Sequence, residues 1–478
     1  MLFNSLHFLI FFPVVVALFF LLPQRYRRIT LLLASYYFYM AWRAEYIVFI
    51  LGSTLVDYYV GLRMGEATDL RQRRRWLQLS LLLNLGLLFT FKYANFFGET
   101  LNATLSVFRL PYQLPGINLI LPVGISFYTF QSLSYIFDVY RGQQAPERNL
   151  LTYAMYVTFF PQLVAGPIER PGHMLPQFSA EHHFNGQQAA AGLQRMAWGF
   201  FMKVVIADRA AMLALPAFFH PQGRSGWELL LACYLLTFMV YCDFGGYSEI
   251  ALGAAQVLGF RLMENFKRPF LSPSVVEFWR RWHISLISWF TDYVYIPLGG
   301  SRVSVPRWVL NIMAVFLLSG RWHGANWTYV LWGGMNGAFI VIAVLLQRSG
   351  FTLRLQKALH LDRHPRLQKT LGILITYHLF ILSGIFFMSP TLDGALYMLG
   401  NFWRGGSTAF MNAAWLREAV PLIGWILILM LVECLREFTS VSLERQPIAI
   451  RRVWQYALIL IILVFGVFGS RAFVYYQF

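Results

Sequence analysis

Apolar stretches alternate with short polar, often basic, segments along all 478 residues, and that alternation restricts the fold more than any single residue does. The runs fall at 6–22, 29–41, 46–62, 76–97, 117–137, 150–165, 189–206, 227–241, 250–260, 308–318, 327–346, 371–388, 420–435 and 453–469. A backbone in lipid must satisfy its own hydrogen bonds, which the helix does within one segment. Several runs are too short to cross a ~30 Å hydrocarbon core alone, and short or Gly-interrupted pieces persist only where protein covers the freed backbone. The expected fold is therefore an all-α polytopic membrane protein of about 11 to 13 transmembrane or re-entrant helices. With no internal repeat, low-complexity tract or long linker, one membrane domain over residues 1–478 is the simplest organisation.

Composition agrees. The chain is 58% hydrophobic and 13% charged, against about 25% charged in soluble domains. Its net charge of +17 lies in short segments between apolar runs rather than along one stripe, which argues for topology and against nucleic acid. Arg25, Arg27 and Arg28 follow the first run with no small-residue cleavage site, so that run reads as a retained span with its N-terminus outside. Segments 63–75, with five Arg, and 348–369, with six Lys or Arg, are expected in the cytoplasm. Segment 261–307 mixes seven Lys or Arg with spaced aromatics and reads as interfacial or re-entrant, whereas 393–418 is nearly charge-balanced and suits the outer face.

The main chemical clue is Ser319-Gly-Arg-Trp-His-Gly-Ala-Asn-Trp327, which sets His323 between two apolar runs. An ionisable residue at membrane depth is costly and marks a candidate functional site. Three roles are open to it from the residues alone: general base toward an acceptor hydroxyl, helix bridge through backbone or Asn326, or proton relay in a transporter. Gly320, Gly324, Gly333 and Gly334 around it permit close approach of a ligand or of another helix.

A second cluster, Glu277-Phe-Trp-Arg-Arg-Trp-His-Ile-Ser-Leu-Ile-Ser-Trp-Phe-Thr-Asp-Tyr293, combines cations, aromatics and His283. Read as one helix, it places Trp279, His283, Leu286 and Phe290 on one face and turns Arg280 and Arg281 elsewhere. Those guanidinium groups could hold donor phosphates or simply obey the positive-inside rule. Asp243, in Cys242-Asp-Phe-Gly-Gly-Tyr-Ser-Glu249, sits where two glycines suggest a broken helix lining a cavity. Cys233, Cys242 and Cys434 form neither a CxxC nor a metal-ligand cluster, so no metal site is expected. The chain lacks a nucleophile elbow, a Walker loop and paired carboxylates on one helical face, which removes common hydrolases and nucleotide-driven pumps.

Five stretches resemble the membrane-bound O-acyltransferase family, in that family's order: Phe160-Pro-Gln-Leu-Val-Ala-Gly-Pro167, Asp243-Phe-Gly-Gly-Tyr-Ser248, Asn265-Phe-Lys-Arg-Pro-Phe270, Phe278-Trp-Arg-Arg-Trp-His-Ile-Ser285 with Asp292-Tyr-Val-Tyr-Ile-Pro-Leu-Gly-Gly300, and Gly320-Arg-Trp-His-Gly-Ala325. The motif-bearing core runs over about residues 160–346, and the resemblance is to the bacterial alginate- and cellulose-acetylating branch. It implies helices around a central tunnel, His323 as the catalytic histidine and His283 as a second one. It further implies a cytoplasmic thioester donor such as acetyl-CoA, with no bound cofactor. The expected partners are a periplasmic acetyltransferase and polysaccharide synthesis and export machinery, in the bacterial inner membrane. Trp282, Trp322 and Trp327 are then expected in the tunnel wall, with Asp243, Asp292 and Tyr293 along the substrate path. Arg280 and Arg281 would attract the donor, and Asn326 or backbone amides would steady the oxyanion. Arg321 departs from the family pattern, which commonly has an apolar residue there, and puts a cation next to His323. The alternatives are D-alanyl transfer to a cell-envelope polymer and a membrane transporter.

Overall fold

The computed structural model describes every residue except 111, 118, 119, 165, 440–445 and 469–478, so the ends of three predicted runs and one motif residue lie outside the described residues. Helix is the only regular structure among the described residues. Among the described residues, seven helices are long and apolar enough to cross a membrane: Ala44–Glu66, Leu70–Val107, Gly226–Val257, Trp327–Arg348, Pro365–Met388, Ala413–Phe438 and Ile448–Phe465. The shorter apolar helix Leu6–Leu21 precedes them. The chain is thus an all-helical multi-pass membrane protein, as its composition requires.

The described residues resolve into two compact units, one of residues 1–196 with 250–263, the other of 197–249 with 264–468. In the first, Phe3, Phe8, Phe11, Phe38 and Phe160 form a ring-on-ring core, for example 4.8 Å between Phe3 and Phe8 and 5.4 Å between Phe11 and Phe160. Its buried carboxylates are hydrogen-bonded, as burial demands. Asp57 accepts from Ser80 Oγ at 2.6 Å and Asn84 Nδ2 at 2.9 Å, while Glu169 meets His173 Nδ1 at 2.7 Å and accepts from the Met263 amide.

The second unit holds both candidate histidines. Its helices Val305–His323 and Trp327–Arg348 form a tight hairpin whose contact is made by glycines. A Cβ on Gly320 would lie 2.3 Å from the Tyr329 carbonyl oxygen, and one on Gly333 2.3 Å from that of Phe316. Of the two uses foreseen for these glycines, the approach of another helix is the one observed for Gly320 and Gly333.

Two sequence-based expectations are corrected in this unit. The Asp243-Phe-Gly-Gly segment does not break its helix, because Gly226–Val257 runs unbroken for 32 residues. Its glycines instead let that helix close on its neighbour: a Cβ on Gly246 would meet the Gly199 carbonyl oxygen at 2.7 Å. Conversely, the Glu277–Tyr293 stretch is not one helix. It divides into Val275–Arg281 and Ile284–Phe290 at His283, whose φ of 45° and ψ of 53° are left-handed.

Among the described residues, three wide π turns interrupt longer helices, at Phe89–Tyr93, Phe201–Ala207 and Thr291–Tyr295. Each contains an ionisable residue, Lys92, Lys203 and Asp292 respectively. Such turns are uncommon and concentrate at functional sites.

Candidate active site

Local sequence sets the two helices that meet at His283. Ser274 caps the first, accepting from the Glu277 amide at 3.2 Å. The helix then ends at Arg281, although neither Gly nor Pro stops it there. Long-range bonds stop it: the Lys267 amide donates to the Arg281 carbonyl and the Ile284 amide to the Asn265 carbonyl, each at 2.9 Å. Asn265 is itself fixed, accepting from Ser285 Oγ at 2.6 Å and donating to Ser248 Oγ at 3.1 Å. These bonds hold a non-glycine residue in a conformation that costs roughly 1–2 kcal/mol. The result is a sharp corner that directs the His283 ring inward.

His323 arrives from the other direction, as the last residue of helix Val305–His323. A Cβ on Gly324 would fall 2.1 Å from the Tyr329 ring, so the chain can turn against that ring only as glycine. Asn326 caps the next helix, its Oδ1 accepting from the Thr328 amide at 3.1 Å. His323 therefore stands where the negative end of one helix dipole and the positive end of the next lie three residues apart.

The ring centroids of His283 and His323 are 6.4 Å apart, too far for direct nitrogen-to-nitrogen hydrogen bonding and within reach of a shared oxygen. Both are buried, with 1% and 4% exposure. Aromatic rings wall them: Trp322 at 5.0 Å, Trp332 at 4.9 Å and Phe387 at 5.3 Å from His323, and Phe244 at 4.6 Å from His283. Burial pushes the His283 imidazole down, to about 3, so it is neutral at physiological pH, with one nitrogen to donate and one to accept. Apolar walls exclude water and strengthen any electrostatic contact made inside them.

The remaining expected site residues separate into distinct groups. Trp282 packs near the corner, stacked on Phe278 at 5.5 Å and 4.9 Å from Phe380. Tyr293 is buried against Trp289, and Asp292 is half-buried in the wide turn that follows. The end of that segment is tied to the His323 helix by Asn311 Nδ2, which donates to the Leu298 and Gly300 carbonyls at 3.1 and 3.2 Å.

Four other expected residues are placed by their contacts and exposure. Asp243 is buried in an ion pair with Lys203, which also pairs with Asp208 at 2.8 Å, so its carboxylate is committed elsewhere even though the adjacent Phe244 touches His283. Asn326 donates one Nδ2 hydrogen to the Pro390 carbonyl at 2.8 Å and uses its Oδ1 on the helix cap, so it clasps the start of the next helix. Trp327 is 54% exposed, unlike the buried Trp322 and Trp332. Arg281 is engaged by Glu277 and, at 2.9 Å, by Glu437, which leaves Arg280 as the exposed cation of the pair.

Reading the sequence missed Trp332, Phe387, Asn265 and Glu437 as parts of the site. Asn265 carried a signal, being a polar side chain within a motif; Trp332 is brought in by the hairpin with the next helix, and Phe387 and Glu437 by packing between distant segments.

Fold and site together define a multi-pass helical membrane protein with two buried histidines, their ring centroids 6.4 Å apart, inside an aromatic shell. The family model described as "MBOAT, membrane-bound O-acyltransferase family" matches residues 31–389. The chain belongs to the membrane-bound O-acyltransferase family, and it is an O-acyltransferase. It is 40% identical over 418 residues to a Pseudomonas aeruginosa protein named "Probable alginate O-acetylase AlgI", covering 87% of this chain and 76% of the relative. A Helicobacter pylori peptidoglycan O-acetyltransferase is 33% identical over 78% of this chain and 73% of its own length. A Bacillus subtilis teichoic acid D-alanyltransferase is 30% identical over 58% of this chain and 70% of its own.

Proposed function

We propose that this O-acyltransferase takes acetyl from a cytoplasmic thioester, acetyl-CoA or a carrier-bound equivalent, and passes it across the bacterial inner membrane for O-acetylation of an exported alginate-type polysaccharide. The observation that carries the reading is the buried His283–His323 pair, 6.4 Å between ring centroids. Its support from relatives is graded: identity and coverage are higher for the alginate protein than for the peptidoglycan and teichoic-acid ones.

In the proposed step, His323 takes the proton of an acceptor hydroxyl as that oxygen attacks the thioester carbonyl carbon. The C–S bond then breaks, and the departing thiolate recovers the proton from the imidazolium, giving an ester and a free thiol. The carbonyl end of helix Val305–His323 favours the transient positive charge on the ring. His283, neutral, hydrogen-bonds the reacting oxygen or holds its position. Arg280, exposed beside the corner, attracts the donor phosphates. The acceptor is a hydroxyl presented from the far side, on the polymer or on a periplasmic partner transferase working beside the synthesis and export machinery.

The test uses membrane vesicles carrying the full chain and radiolabelled acetyl-CoA. His323→Ala should lower acetyl transfer by about 10²- to 10⁴-fold, the usual contribution of a general base, with unchanged accumulation in the membrane. Transfer that survives the substitution refutes the assignment. Transfer only when a purified D-alanyl carrier replaces acetyl-CoA would identify the D-alanyl reaction instead, and substrate flux without any acyl donor would identify a transporter.

A further inference from the structure

The corner at His283 is fastened from a helix that lies wholly outside the family match. Glu437 belongs to helix Ala413–Phe438, beyond residue 389 where the matched region ends. Its two carboxylate oxygens are divided between two arginines, Oε2 accepting from Arg268 Nε at 2.7 Å and Oε1 from Arg281 Nη2 at 2.9 Å. Those arginines sit beside the two backbone hydrogen bonds, Lys267 to Arg281 and Ile284 to Asn265, that force the chain around His283. Arg268 is itself left-handed, with φ 49°. So Arg268 and His283, two of the four non-glycine residues of positive φ among those described, both belong to this one corner.

A second carboxylate on the same helix face extends the fastening. Glu433, one turn earlier, accepts from the Tyr241 hydroxyl, and the Tyr241 ring lies 5.8 Å from Phe266 and 6.1 Å from Trp282. One helix face thus grips both chain segments that make the corner, 265–268 and 281–284. Ion pairs this shielded are weakly screened by salt and impose a defined geometry, because a carboxylate serving two guanidinium groups has little angular freedom.

We infer that Glu437 is a positioning residue for acyl transfer: by bridging Arg268 and Arg281 it holds the left-handed turn that places His283 opposite His323. The inference rests on the histidine pair being the reacting centre, and it extends the determinants of that centre to a part of the chain that no motif marks.

Vesicles carrying the full chain, with radiolabelled acetyl-CoA, test it through Glu437→Gln, Glu437→Asp and a control, Glu418→Gln. Glu418 lies on the same helix and pairs with Arg209, away from the corner, so the control removes an ion pair without touching the turn. Glu437→Gln should lower kcat at least tenfold with KM for acetyl-CoA within twofold of the parent, and Glu437→Asp, keeping the charge, should recover part of the loss. Glu418→Gln should retain parental kcat. Independently of activity, diethyl pyrocarbonate labelling of His283, slow in a side chain 1% exposed, should accelerate in Glu437→Gln. Parental kcat and parental His283 labelling in Glu437→Gln overturn the inference, as does an equal loss in Glu418→Gln. If Glu437→Gln does not accumulate, Glu437→Asp decides by the same two readouts. Loss of the underlying reading is separable, since it appears as unchanged transfer in His323→Ala whatever Glu437 does.

Discussion

Gly333→Ala perturbs the hairpin that carries His323 without touching either histidine. The added Cβ would lie 2.3 Å from the Phe316 carbonyl oxygen, 3.1 Å from its carbonyl carbon and 3.3 Å from Gly320 Cα, all backbone atoms that no side-chain rotation can move. Ordinary contact begins at 3.4 Å, so the helices must part by about 1 Å at this point. Overpacking of this kind costs typically about 1–3 kcal/mol. A displacement of about 1 Å at a reacting centre costs on the order of 10²-fold in rate. Trp332, the residue before Gly333, lies 4.9 Å from His323, so the displacement is delivered to the imidazole directly. Gly334 supplies the control: its Cβ would meet only Leu317 Cδ2, at 3.7 Å. Acetyl transfer and thermal unfolding of detergent-solubilised Gly333→Ala and Gly334→Ala should differ sharply, the first slow and destabilised, the second close to the parent. Equal behaviour of the two variants would refute the claim that backbone contact between these helices sets the site.

Two further outcomes follow from buried charge. Lys203→Met leaves Asp208 and Asp243 buried without their cation, so a loss of about 3–5 kcal/mol is expected; it would be read as a lower unfolding temperature, partly restored by adding Asp243→Asn, and an unchanged unfolding temperature would contradict it. The His173–Glu169 pair makes stability fall as pH rises. The Glu169 carboxylate raises the His173 imidazole above its usual 6.5 by hydrogen bonding, and burial raises Glu169 above the usual carboxylate range. Both groups hold protons more tightly when folded, so the His173 contribution is complete below about 6.5 and is lost as pH climbs through its raised value. Unfolding temperatures of parent and His173→Gln should converge on the alkaline side; a parallel offset at every pH would contradict this.

The helical membrane fold and the histidine at position 323 were legible because each depends on local facts: apolar length, flanking basic residues, and an ionisable group set between two apolar runs. The corner at His283 was not. Its sequence keeps a helical spacing of apolar residues across the break, and the interruption is imposed by Asn265 and Lys267 rather than by Gly or Pro. The glycines of 243–248 mislead in the opposite sense, since in a membrane helix small residues serve close packing as readily as they serve a break. Arg281 looked available for phosphate because the second of its two counter-ions, Glu437, stands 156 positions away in the chain. The clasp between Asn326 and Pro390 was not legible either, because its two ends stand 64 positions apart in the chain.

The wide turn at Phe201–Ala207 carries one more consequence. A helix advances about 100° per residue at 3.6 residues per turn, so the extra residue in such a turn works like an indexing notch: everything after it is rotated while the axis continues. Asp208 begins the next helical stretch with its carboxylate on Lys203 because of that notch. Removing a single residue from the turn would leave composition, charge and apolar length almost untouched, yet would rotate the downstream helix out of register with its partners.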